Sequence, residues 1–279
     1  YKAKTAGRNA VCFFDKTMQE VVIANANMEK DLRGALAKNE LRLYFQMQAY
    51  HNGHIIGAEV LLRWQHPQRG LVSPLTFIPL AEETGLILPI GQWVLETACG
   101  QLAIWAKSSL TRHLQLSVNV SPQQFHQSDF VNQIKILVEK YNIEPDRLTI
   151  EITETLLLVN IDEAVIKMNT LKHVGVQFSV DDFGTGYSSL AYLTQLPLNQ
   201  LKIDQSFVHN IGVKLTDALI VQTIIAMSAN LGMEVIAEGV ETEAQRAFLE
   251  LHGCPIIQGY LFGRPVPLAV FEQQLSGSS

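Results

Sequence analysis

The sequence predicts an α/β fold, a TIM-like (β/α)8 barrel in which one strand runs antiparallel to the others. Three observations lead to it. From residue 41 onward, short apolar segments alternate with amphipathic ones, a rhythm that calls for parallel strands joined by right-handed crossovers. Roughly eight such units occupy about 240 residues, the usual size of a closed barrel. The first two strands flank Asn52-Gly53, a hairpin signal, and a hairpin sends one strand backwards. A doubly wound open sheet is the competing pattern, but no GxGxxG dinucleotide fingerprint follows the first strand.

Each element follows from local signals. Residues 1–15 read as a helix end and the apolar strand VCFF, and a linker follows to residue 24. Residues 25–39 have helical spacing through Met28, Leu32, Ala35 and Leu36. LRLYFQMQA (41–49) alternates as a half-buried strand does, and HIIGAEVLLRW (54–64) pairs back onto it. The helix 73–85 opens on Ser73, carries Pro74 in its first turn and closes at Gly85. A longer amphipathic helix covers 88–107. Strand 114–121 precedes the helix 128–141, strand 148–153 the helix 161–174, and strand 176–183 a short helix from Ser188. Strand 200–204 leads to the helix 216–231, strand 233–240 to the helix 242–252, and strand 255–262 to a final helix over 268–275.

The 279 residues, 47% of them hydrophobic, are enough for a sizeable core. No apolar run is long enough to cross a bilayer, and no signal peptide precedes the polar start YKAKTAGRN. The expected location is the cytoplasm, without membrane contact by this segment, although a parent protein can be anchored elsewhere. The net charge of −6 argues against binding DNA, yet leaves room for a small anionic ligand if cations mediate the contact. Cys12, Cys99 and Cys254 are scattered and odd in number, as ordinary buried thiols of a reducing compartment are. The histidines show no HExxH or HxH spacing, which argues against zinc.

Chemistry is written at the strand ends. Gln46 lies on the first strand, Glu59 on the second and Asn119 on the third; Glu151 and Glu154 follow in EITE, then the adjacent Asp181 and Asp182. Lys202 and Asp204 come from LKID, Glu238 from AEGVE and Gln258 from IIQGY. In a barrel these ends converge on one face. A merely wet rim would mix its charges, whereas this set is mostly carboxylate and several members sit inside apolar strand sequence. Converging carboxylates stay ionised only beside a counter-charge. Hard oxygen donors with one amide and no thiolate suit Mg2+ or Mn2+. Two adjacent aspartates suit two ions, because one carboxylate can bridge while its neighbour holds the second ion, an arrangement used for in-line phosphoryl displacement. Lys202 can position a water or stabilise developing negative charge, or it can pair with Asp204 or Glu238. Gly184 and Gly186 permit a sharp turn beside the aspartates, and Ser188 can cap the helix that follows.

Over residues 28–275 the chain resembles the EAL domain, the bacterial phosphodiesterase that opens cyclic di-GMP to linear pGpG. The signature stands here as Glu59-Val60-Leu61 in AEVLLRWQHP; SVNVS, EITE, DDFGTGYSSL, LKID, AEGVE and QGYLFGRP follow in family order. Residues 1–24 resemble the tail of a GGDEF domain with its linker, which leaves 25–279 as the EAL barrel. The resemblance implies one metal on Glu59, Asn119, Glu151 and Asp181. It implies a second shared by Asp181 and Asp182, with Asp204 or Glu238 contributing directly or through water. Lys202 and Glu238 would orient or deprotonate the attacking water, and Gln258 would complete the inner site. Glu154 would anchor the DDFGTGYSS loop, Arg63 would grip a phosphate and Gln46 would sit beside the dinucleotide. A homodimer contact through the 181–190 loop and its following helix is also implied. Two residues depart from the pattern: Val60 replaces the middle alanine of the signature, and Met47 replaces the proline that usually follows the glutamine at position 46. The alternative reading is a weak or inactive EAL domain that serves as a cyclic di-GMP receptor.

Overall fold

The computed structural model describes residues 16–184 and 193–277. Its strands are β1 (Leu41–Tyr50), β2 (Ile55–His66), β3 (Gly70–Val72), β4 (Gln115–Asn119) and β5 (Leu148–Thr153). They continue with β6 (Gln177–Phe183), β7 (Gln200–Ile203), β8 (Glu234–Ala237), β9 (Ile256–Gln258) and β10 (Val266–Pro267). β1 pairs antiparallel with both β2 and β9, and parallel pairing runs from β2 through β4, β5, β6, β7 and β8 to β9. The ladder therefore closes into an eight-stranded barrel, with β3 and β10 attached outside the ring. The Asn52-Gly53 turn delivers the reversed strand, as the hairpin signal predicts.

The helices are α1 (Lys16–Ala35), α2 (Pro74–Thr84), α3 (Ile87–Trp105), α4 (Pro122–Phe125), α5 (Phe130–Tyr141) and α6 (Glu154–Val159). They continue with α7 (Ile161–Val174), α8 (Gln205–His209), α9 (Leu215–Asn230), α10 (Glu243–Leu251) and α11 (Leu268–Gly277). Alternation along each strand separates two environments. Val118, Ile150, Val180 and Leu201 are fully buried and join the core beneath the helices. Their neighbours Asn119, Glu151, Asp181 and Lys202 fall on the inner face. Val60 is buried in the same core, so the extra bulk in the signature points away from Glu59. Outside β1, Phe45 packs on Trp105 and Phe271, whose centroids lie 6.2 and 5.9 Å away. Cys99 and Cys254 are buried, and burial pushes both thiols up to about 12.

Several boundaries differ from the sequence reading. α1 starts at Lys16 instead of residue 25, because KTMQEVVIA contains no Gly or Pro and continues the helix that Met28 and Leu32 dock. It ends at Ala35, and residues 36–39 form a turn in which Asn39 has φ 53°. Ser73 occupies the N-cap of α2 with extended backbone but makes no side-chain cap bond. β8 stops at Ala237 and β9 at Gln258, short of the expected ends, because Gly239 (φ 66°) and the turn after Gln258 leave the ladder. Gly259 permits this turn: a Cβ there would lie 2.2 Å from the Val240 carbonyl oxygen. The short helices α4, α6 and α8, unforeseen in the sequence, begin within three residues of the ends of β4, β5 and β7. The VCFF strand, Cys12, Gly186 and the short helix from Ser188 lie outside the described residues, as does most of the 181–190 loop. No helix among the described residues is long and apolar enough to cross a membrane.

Candidate active site

Inner-face positions at the C-terminal strand ends bring together carboxylates from β2, β5 and β6 and from the turn after β8. At their centre is Lys202 of β7, which is fully buried. Its Nζ lies 2.6 Å from Glu238, 2.9 Å from Glu151, 3.2 Å from Asp181 and 3.3 Å from Glu59. Of the two partners read from the sequence, Glu238 is present among its ion pairs; Asp204 is not. The Oδ1 of Asp204 instead caps α8, accepting from the Ser206 amide at 3.0 Å and from the Ser206 hydroxyl.

The aspartate pair has a backbone explanation. Neighbours in a strand point to opposite faces, so Asp181 and Asp182 could not both face the mouth in a regular β6. The β6–β7 register slips by one residue between Val180 and Phe183, and Asp182 adopts φ 54°. Left-handed backbone is costly for most residues and tolerated best by Gly, Asn and Asp. The Asp182 amide donates to Asp181 Oδ1 at 3.0 Å, which ties down this bulge. As a result the carboxylates form two overlapping triads, Glu59–Glu151–Asp181 and Asp181–Asp182–Glu238, each with ligand atoms within 4.8 Å of one another. Asp181 belongs to both.

Electrostatics distinguish the carboxylates. Burial drives Glu151 well above the ordinary carboxylate range against the pull of Lys202, with the Glu59 and Asp181 charges adding to the rise. Burial likewise carries Glu238 to about 8, opposed by Lys202 and reinforced by Asp181 and Glu59. Asp182, exposed at its edge, reaches about 6 through partial burial and then the Asp181 and Asp204 charges. Burial would also raise Glu59, but Lys202 and the Gln258 and Asn119 amides hold it below its usual value. Burial would lower Lys202, and the four carboxylates carry it well above the ordinary lysine value.

Around the triads, Asn119 Nδ2 donates to Glu59 Oε1 at 2.6 Å, and Gln258 Nε2 donates to Glu59 Oε2 at 2.5 Å and to Gln46 Oε1 at 3.2 Å. Glu59, Asp181, Glu238, Gln46, Gln258 and Tyr260 line an open cavity of about 230 Å³. Arg63 shares the inner face of β2 four residues beyond Glu59 and is half-buried, its guanidinium 5.8 Å from the Tyr44 ring centroid. It makes no ion pair with the triads, although the Glu59 charge acts on it. Glu154 is buried at the start of α6, outside both triads, and neither carboxylate oxygen has a hydrogen-bond partner among the described residues. Met47 packs on the opposite face of β1, with its Cε against Gly263. Sequence reasoning missed Gln48, Glu241 and Tyr260. For Gln48 a signal existed, since alternation places it on the face of Gln46.

The donors present fit divalent cations. Glu151 Oε1 is buried and has no hydrogen-bond partner among the described residues. Five carboxylates around one ammonium leave four negative charges, the number that two divalent ions neutralise. All are hard oxygen donors. A closed barrel with such a mouth defines the class of protein: an α/β barrel whose C-terminal face gathers carboxylates in two triads that could hold metal ions.

The chain belongs to the EAL domain family, whose model matches residues 29–265. It is 42% identical over 268 residues to the bifunctional diguanylate cyclase/cyclic di-GMP phosphodiesterase MucR of Pseudomonas aeruginosa, covering 96% of this chain and 39% of that protein. It is 40% identical over 276 residues to the cyclic di-GMP phosphodiesterase NbdA of the same organism, covering 99% of this chain and 35% of NbdA. The chain thus spans little more than a third of these relatives. Among solved structures it resembles the PaMucR phosphodiesterase in complex with c-di-GMP, with a TM-score of 0.85 and 42% identity. That match covers 88% of this chain and 99% of the other.

Proposed function

We propose that this chain hydrolyses cyclic di-GMP to linear pGpG with the help of two divalent cations, Mg2+ or Mn2+. The observation that carries the reading is the pair of carboxylate triads sharing Asp181 around a buried lysine. Its relatives' names, and the c-di-GMP complex of the PaMucR structure, point to the same substrate.

In this reading Glu59, Glu151, Asp181 and the Asn119 amide oxygen hold one ion, and Asp181, Asp182 and Glu238 the other. The Asn119 nitrogen donates to Glu59, which leaves its oxygen for the ion. When bound, the ions supply positive charge to the phosphodiester and make water a better nucleophile. The protein's own groups do the rest. Glu238 stands at the cavity wall, where its carboxylate, relieved of its proton when the ions are bound, would orient or deprotonate an attacking water. Lys202 holds Glu238 at 2.6 Å and fixes the direction of that carboxylate. Arg63, above the acidic floor, grips phosphate, while Gln46 and Gln258 orient the dinucleotide from the cavity wall. Asp204 acts on Asp182 through its charge and caps α8. Glu154, buried and without a hydrogen-bond partner among the described residues, would anchor the DDFGTGYSS loop.

The test is product analysis on the purified chain with Mg2+ or Mn2+, with chelator, and with Glu59→Ala. We expect pGpG only with the cation and only from the wild type, with Glu59→Ala still folded. Cyclic di-GMP bound but left intact would make the chain a receptor. Equal turnover by Glu59→Ala would overturn the role of that residue.

A further inference from the structure

Gln48 is the candidate that the mechanism leaves unused. It is 3% exposed and lies opposite Gln258 in the β1–β9 register, one inner-face position below Gln46. Its Nε2 donates to Gln258 Oε1 at 3.0 Å, a contact that is buried on both sides. That bond decides how Gln258 is turned. An amide has one acceptor end and one donor end. With the acceptor held by Gln48, the donor end faces Glu59 Oε2 at 2.5 Å and Gln46 Oε1 at 3.2 Å. Turned the other way, Gln258 would present its oxygen to a carboxylate and its nitrogen to the Gln48 amide nitrogen. The contact with the carboxylate would be repulsive, and Gln48 would have to turn over as well to accept from Gln258.

The arrangement depends on the reversed strand. β1 contributes two amides to the inner face, Gln46 level with Glu59 and Gln48 level with Gly57. Gly57 has no side chain to fill the space beside Gln48, and its close approach to Gln115 leaves no room for one. Gln48 therefore faces Gln258 from below while Glu59 meets it at the mouth. Glu59 in turn is held at both oxygens, by Asn119 on one side and by Gln258 and Lys202 on the other.

We propose that Gln48 is a positioning residue for the cation site: by occupying the oxygen of Gln258 it fixes that amide, and through it the Glu59 carboxylate, in the orientation that receives a divalent ion. The proposal rests on the cation reading of the triads and is independent of which phosphodiester is cut. Partners one step behind a metal ligand, as Gln258 is, typically contribute tenfold to a hundredfold in affinity, and Gln48, one step further back, takes the low end of that range.

The test is Mn2+ titration by calorimetry, without substrate, on the wild type, Gln48→Met, Gln258→Met and the double variant, with thermal melting to confirm folding. We expect Gln48→Met to weaken Mn2+ binding about tenfold. The double variant should bind no more weakly than Gln258→Met alone, because Gln48 acts only through Gln258. Binding by Gln48→Met within about twofold of the wild type would overturn the proposal, as would a double variant in which the two losses multiply. A purely structural role would lower the melting temperature and leave Mn2+ affinity unchanged. If Gln48→Met does not fold, Gln48→Leu removes the donor at similar volume; a tenfold loss of Mn2+ affinity supports the proposal and wild-type affinity sinks it. Turnover of cyclic di-GMP is scored separately, so a wild type that binds Mn2+ without cutting the dinucleotide defeats the phosphodiesterase reading alone.

Discussion

Replacing Lys202 by Met removes the only cation that contacts the two triads among the described residues and keeps most of the side-chain volume. Four carboxylates at 2.6–3.3 Å then lose their counter-charge inside a fully buried site. Removing one partner of a buried pair costs about 3–5 kcal/mol, because the remaining charge is stranded. For a chain of this size each kcal/mol corresponds to roughly 2–4 °C, so Tm in chelator should fall by about 6–20 °C. The loss should depend on two further variables. Carboxylates that take up protons no longer need the ammonium, so the gap between variant and wild type narrows at lower pH. Saturating Mn2+ restores positive charge and should recover much of the loss. The assay is a thermal melt of wild type and Lys202→Met at about pH 5 and pH 8, each with chelator and with Mn2+. A Tm loss that is the same under all four conditions would refute the argument, since it would mean that Lys202 acts by packing alone.

Other outcomes follow from the same electrostatics. Glu238 and Asp182 hold protons in the folded chain up to about 8 and about 6, well above their unfolded values, so the native state binds more protons in that window. The metal-free chain should therefore lose stability as pH rises from about 5 to 8, and Mn2+ should flatten the trend; a Tm in chelator that climbs over this range would contradict it. Asp182→Asn keeps a residue that tolerates φ 54° and removes one of the facing charges. Its metal-free Tm at about pH 8 should exceed that of the wild type while Mn2+ affinity falls. A lower Tm would show that the aspartate is retained for stability.

Much of this was legible in the sequence because strand alternation is a strict rule. Once EITE, LKID and the SVNVS strand are assigned, Glu151, Lys202 and Asn119 must share the face opposite Ile150, Leu201 and Val118. The hairpin at Asn52-Gly53 likewise gave the reversed strand. What alternation cannot give is its own interruption. Nothing local in FSVDDFG specifies that the β6–β7 register slips at the aspartates, yet that slip turns Asp182 toward the mouth. The sharing of Lys202 among four carboxylates was equally hidden, because it depends on closure of the barrel and not on any one strand. Asp204 shows a second role that alternation does not signal: Ser206 two residues on engages one of its oxygens as a helix cap, while its carboxylate also acts on Asp182. Short helices such as α4, whose Ser121–Gln124 capping box starts directly after the strand, lack the length for a periodic signal.

The most direct test of the shared-carboxylate site is a count of Mn2+ ions per chain by electron paramagnetic resonance, for the wild type and for Asp181→Asn, each with chelator-treated protein titrated to saturation. The account predicts two magnetically coupled ions in the wild type and loss of the coupled pair when the common ligand is changed. A single isolated ion in the wild type, or a coupled pair that survives Asp181→Asn, would contradict it.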